Sequence, residues 1–193
     1  MAEAVVIGVV TRTGSAVAVA LSGPADTPRF RARREFGLTR PGLEIQPYHA
    51  AAGLELAAAA QLIGQVGRGA EEAAAAGLRS VADLLPASAR TEVAVLVKAV
   101  SVPDRLPDIL RSHAWMHAAE GVLYRQAVLA AAQECGWTPR AVERSLLPEA
   151  APDLAVLGRA AGRPWRQIEK DAARAALVIL AGPQTRDNGE LAV

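Results

Sequence analysis

Between Ser112 and Tyr124 the chain reads Ser-His-Ala-Trp-Met-His-Ala-Ala-Glu-Gly-Val-Leu-Tyr. On a helix His113, His117, Glu120 and Tyr124 fall on one stripe, because side chains three and four apart share a face. Leu106 and Leu110 precede that stripe, and Val128, Ala131 and Cys135 continue it. Polar groups therefore interrupt an apolar seam, and buried polar groups must be paired. Two imidazoles and a carboxylate are ligands for a divalent metal, here His113, His117 and Glu120. His117 with Glu120 is also a proton-transfer pair. A satisfied core network orienting the helix gives the same pattern. The His-Glu-x-x-His order of a zinc protease is absent.

A second stretch, Gly158 to Asp171, carries Arg159, Arg163, Arg166 and Lys170, with Arg174 one turn on. Arg166, Lys170 and Arg174 share a helical face, and with Arg163 and the helix N-terminus they are candidates for gripping phosphate. An ordinary solvated face, with Trp165 plugging the core, is the competing reading. Glu169 and Asp171 lie on neighbouring faces, and either could point one carboxylate inward. Arg29, Arg31 and Arg33 form a third basic set, suited to a nucleic-acid backbone or to guarding a sheet edge. Gly8 and Gly14 are not followed by the Gly-Lys-Ser/Thr of a phosphate loop. Cys135 reads as a packed small residue.

These residues need a scaffold. The 193 residues, 51% hydrophobic with net charge +1, suit one domain with a substantial core and exclude a disordered chain. One cysteine excludes a disulfide framework. No apolar run is long enough to span a membrane, and the start lacks a basic leader, so a cytoplasmic protein with no membrane partner is expected. Alanine supplies 43 residues, which favours closely packed helices.

The periodicity predicts strands over 4–10 and 15–21 joined as a hairpin. A third strand over 29–36 alternates, with Phe30, Ala32 and Phe36 on one side and Arg29, Arg31 and Arg33 on the other. Alanine-rich helices follow over 49–66 and 68–85, or one helix bent around Gly64 and Gly67. A buried strand runs over 93–100, a long helix over 106–135 capped by Gly136, and a short strand over 141–146. Helices over 154–161 and from Pro164 to about 181 complete a single domain, 1–181, with a tail over 182–193. The order predicts an α/β fold: a mixed sheet of three antiparallel strands, then parallel strands, with helices on both faces.

This element order resembles the RNase H-like fold, and three stretches resemble the RuvC-type Holliday junction resolvases. Ser112 to Trp137, with Ala119-Glu120-Gly121 and Glu134-Cys135-Gly136, is similar to that family's central helix. Gly162 to Leu177, with Glu169-Lys170, is similar to its last segment, and Ala4 to Leu21 to its opening hairpin. The resemblance implies four carboxylates holding two magnesium ions that activate water and stabilise the leaving oxygen. Carried over residue by residue, the first acid meets Val9-Val10-Thr11, and the second meets the stretch from Lys98 to Ser101, which has no carboxylate. In the last helix only Glu169 or Asp171 matches.

Two expectations follow. The first is a non-catalytic RNase H-like binding or scaffold protein engaging DNA or a protein partner, as a homodimer. The second is a magnesium- or manganese-dependent, structure-specific DNA endonuclease with a rearranged catalytic set of Glu120, Glu169 and His117. An actin-like phosphate hairpin ranks behind both, because Val10 stands where that hairpin needs an acid.

Overall fold

The structure, a computed structural model, describes residues 3–87, 89–148 and 154–182. Strands β1 (Ala4–Arg12), β2 (Ser15–Ser22), β3 (Arg29–Gly37), β4 (Arg90–Val97) and β5 (Thr138–Glu143) form one sheet in the order β3-β2-β1-β4-β5. β1, β2 and β3 are antiparallel neighbours, whereas β4 pairs parallel with both β1 and β5. The predicted mixed α/β sheet is present. Gly14, at φ 75°, turns the β1–β2 hairpin in a conformation that costs glycine no steric penalty.

Helices cover both faces. Helix α1 (Pro47–Ala51), α2 (Leu56–Ala82), α3 (Leu106–Leu110) and α4 (His113–Glu134) precede β5, and α5 (Leu154–Ala161) and α6 (Gln167–Leu180) follow it. Val5, Ile7 and Val9 of β1 point into a core with Ala70, Ala74 and Leu78 of α2 and Tyr124, Ala127 and Val128 of α4. Val6 faces the other way, into a core with Ala172, Ala173 and Ala176 of α6. This is strand alternation applied to a sheet buried on both sides. Gly8 explains how closely α6 approaches: a Cβ there would lie 1.8 Å from the Ala172 carbonyl oxygen.

Several predicted boundaries move, each for a local reason. The helix expected over 106–135 is two helices, because Ser112 is extended and its hydroxyl accepts from the Trp115 N–H as an N-cap for α4. Leu106 and Leu110 therefore lie off the α4 stripe. Gly64 and Gly67 do not break α2, which is continuous; the break falls before it and leaves His49 in the separate α1. β4 spans Arg90–Val97 and β5 spans Thr138–Glu143, both earlier than expected. In β3 the alternation fails at one point. A register shift between Ala20 and Leu21 sets Ala20 opposite Ala32 but Leu21 opposite Phe30. That bulge turns Phe30 to the α6 side while Ala32 and Phe36 stay on the α2 side. Pro164 precedes α6 rather than opening it, because Arg33 draws in the carbonyls of Gly162, Arg163 and Pro164. Of the expected tail, 183–193 lies outside the described residues. No helix among the described residues is long and apolar enough to cross a membrane.

Candidate functional site

α4 carries the chain across from β4 to its parallel neighbour β5, so its first turns stand beyond the carboxyl end of β4. There the stripe read from the sequence divides. Glu120, Tyr124, Val128 and Ala131 are buried, while His113 and His117, one and two turns nearer the N-cap, are exposed. The Tyr124 hydroxyl donates to the Ile45 carbonyl (2.7 Å) and so ties the segment leading into α1 onto α4. Burial, followed by the Glu120 charge, pushes the Tyr124 phenol up to about 12.

That tie brings in a residue the sequence did not single out. His49 of α1 meets both helical histidines, edge-on to His113 and tilted to His117, with ring centroids 4.9 Å from His113 and 4.3 Å from His117. One ligand nitrogen from each of His49, His113 and His117 lies within 4.8 Å of the others. These are all the histidines of the chain. Glu120 stands behind them, only 1% exposed. Its Oε1 lies 2.8 Å from His49 Nδ1, and its Oε2 lies 3.6 Å from His117 Nδ1. The structure brings His113, His117 and Glu120 of the expected trio close together and adds His49 to them, with Glu120 nearest to His49. The absence of any fixed spacing between His49 and α4 hid it. Pro47 at the start of α1 was the available signal that a short separate helix begins there.

Glu169 does not join this group. It lies on α6, on the opposite face of the sheet from α4, so Glu120, His117 and Glu169 are not one catalytic set. Glu169 is 1% exposed and accepts from the Arg166 backbone N–H (2.7 Å) and from the Arg166 guanidinium (2.8 Å). Burial pushes its carboxyl up, but those hydrogen bonds and the guanidinium charge prevail and hold it below the usual range. Arg166 also reaches Glu35 of β3 (3.1 Å). Asp171, likewise buried, accepts from Gln167 (2.7 Å) and pairs with Arg144 (3.0 Å) and Arg174 (3.4 Å).

Two of the four cations expected to bind phosphate are therefore engaged, Arg166 with Glu169 and Arg174 with Asp171. Arg163 and Lys170 have no ion-pair partner among the described residues. The third basic set is not a free row either: Arg31 holds Glu3 and Ser22, and Arg33 holds the 162–164 backbone. At the carboxyl edge of the central strands, Val9 of β1 pairs with Val95 of β4. Past that pair stand the exposed cations Arg12, the last residue of β1, and Lys98, one residue beyond β4. A magnesium pair needs oxygen ligands. These residues do not fit one: both strand ends carry cations, and the α6 carboxylates are neutralised by arginine.

No protein-family model matches the chain, and no curated protein sequence matches it. Among solved structures, the chain is similar to Thermus thermophilus RuvC in complex with Holliday junction substrate. The TM-score is 0.52 at 18% identity, over 90% of this chain and 91% of that one. It is also similar to a second Thermus thermophilus RuvC structure, at 19% identity and a TM-score of 0.49, over 90% of this chain and 92% of that one. The protein has an RNase H-like, RuvC-like fold.

Proposed function

We propose that this protein binds DNA on the carboxyl edge of its sheet and does not cleave it by two-metal catalysis. The observation that carries the reading is the charge at that edge. Arg12 ends β1 and Lys98 directly follows β4, and Glu169 and Asp171 are each locked to arginine. Cations at those positions would repel magnesium and attract the phosphates that a metal would otherwise hold. Arg163 and Lys170 would extend the same surface. The complex of the similar RuvC with a Holliday junction supports branched DNA as the first ligand to try.

Fluorescence anisotropy with four-way-junction and duplex DNA tests this. Binding should weaken steeply with salt, and Arg12→Ala with Lys98→Ala should reduce the log–log salt slope by about two, one unit per lost phosphate contact. Magnesium and manganese should produce no cut strands. Absence of binding at low salt, or an unchanged slope in the double variant, would overturn the assignment. A second reading, cleavage with a metal at the histidine group, draws on the convergence of the three imidazoles. Cutting that disappears in Glu120→Ala would establish it.

A further inference from the structure

We propose that His49, His113 and His117 form a binding site for a borderline divalent transition metal of the zinc type, with Glu120 as the carboxylate that positions His49. Three observations on the α1–α4 junction converge on this site, and none depends on DNA.

First, the chain has three histidines, and elements far apart in sequence bring all three together with ligand atoms within 4.8 Å. A tetrahedral zinc site needs nitrogens about 3.4 Å apart, from zinc–nitrogen bonds of about 2.0–2.1 Å. The remaining closure is a side-chain rotation for His113 and His117, which are exposed on α4.

Second, the most enclosed imidazole is already oriented as a ligand. His49 Nδ1 lies 2.8 Å from Glu120 Oε1, so that nitrogen donates its proton to the carboxylate. The lone pair is then left on Nε2. That atom is buried and has no hydrogen-bond partner. A carboxylate–histidine pair with the distal nitrogen unspent is the usual arrangement behind a metal-bound imidazole.

Third, the charge is unbalanced without a cation. Glu169 and Asp171 are buried beside arginines, whereas the ion-pair partners of Glu120 among the described residues are His49 and His117. Its Oε2 is also buried without a hydrogen-bond partner. A buried carboxylate needs a compensating positive charge, and a dication between the imidazoles supplies it. Nitrogen donors select zinc, or cobalt as its probe, over magnesium. Three protein ligands on the solvent side leave a fourth position for water or an anionic ligand.

The test is metal binding by the full chain, freed of metal by chelation and titrated with zinc. One zinc per chain is expected, with a rise in melting temperature that excess magnesium neither reproduces nor competes away. Cobalt should give the visible absorption of a tetrahedral site. His113→Ala with His117→Ala, both at exposed positions, should weaken zinc binding more than 100-fold while the metal-free protein keeps its circular dichroism and melting temperature. Glu120→Gln should weaken it about 10–100-fold and shift the cobalt spectrum. A wild-type protein that fails to bind zinc below about 100 µM, or a double histidine variant that binds as wild type does, overturns the site. An unchanged affinity and cobalt spectrum in Glu120→Gln overturns the role of the carboxylate.

Discussion

Arg166→Ala strips the buried Glu169 carboxylate of its guanidinium and leaves it the backbone N–H groups of residues 166 and 169 at the helix start. Removing one partner of a buried ion pair costs about 3–5 kcal/mol. Arg166 itself is 47% exposed, so part of its charge is already solvated and the lower end applies, about 3 kcal/mol at pH 7. Glu35, the second partner of Arg166, is 53% exposed, so Glu35→Ala should cost less than about 1 kcal/mol. Urea denaturation at pH 7 measures both. The pH dependence separates charge from packing. The Glu169 carboxyl is held low in the folded state, so its contribution is present above the ordinary carboxyl range, near 4.3. That contribution is lost as pH falls through the folded value. In Arg166→Ala the orphaned carboxyl takes up a proton readily, so the gap to wild type should narrow as pH falls below about 4. Arg166→Ala with Glu169→Gln should recover most of the loss at pH 7. A loss under about 1 kcal/mol, or one that the second substitution does not relieve, would refute the pairing argument.

Gly8→Ala adds a methyl group that meets the Ala172 backbone carbonyl, which no rotamer can avoid. The expected loss is about 3 kcal/mol or more, read by thermal or urea denaturation, and a change under about 1 kcal/mol would contradict the close seating of α6. Tyr48 and Tyr124 are both held protonated, by burial first and the Glu120 charge second. Because the folded values lie above the ordinary phenol value, this contribution is complete below about pH 10. It is lost as pH rises toward about 12 for Tyr124. Absorbance at 295 nm should show little phenolate in the native protein at pH 10, against about half in urea; equal ionisation would contradict the burial.

What the sequence disclosed and what it hid differ by the range of the interactions. The β1–β2 hairpin, the Gly136 cap and the buried seam from Glu120 to Ala131 follow from local period and turn chemistry, and these are present. The side to which Phe30 turns depends on a bulge against β2, which no pattern within β3 records. The split at Ser112 was written in an N-cap residue, but the apolar spacing of Leu106 and Leu110 imitated a continuous helix. The arginines of the 158–174 stretch read as a cationic face because their partners are mixed in range. Glu169 and Asp171 lie within a turn of Arg166 and Arg174, but Glu35 and Arg144 come from other elements. His49 was the furthest from view, since long-range contacts, the Tyr124–Ile45 and His49–Glu120 hydrogen bonds and the packing of α1 on α4, bring it to the other histidines.

Charge balance separates the two ends of this molecule that could do chemistry. On α6 each buried carboxylate has an arginine within 3.0 Å, so the local charge is already cancelled and a metal ion would have to displace a guanidinium. On α4 the ion-pair partners of the buried carboxylate among the described residues are imidazoles, which become ligands when neutral and cations when protonated. A divalent ion is therefore opposed beside the α6 carboxylates and favoured across the sheet, at the α1–α4 junction. The same accounting predicts how the two ends respond to substitution. Neutralising Glu169 alone leaves an arginine that water can solvate, whereas neutralising Glu120 removes the carboxylate that, among the described residues, pairs with the imidazole group. Loss of cation affinity confined to the second substitution is the signature that distinguishes a metal site at the α1–α4 junction from a carboxylate that only braces the helix.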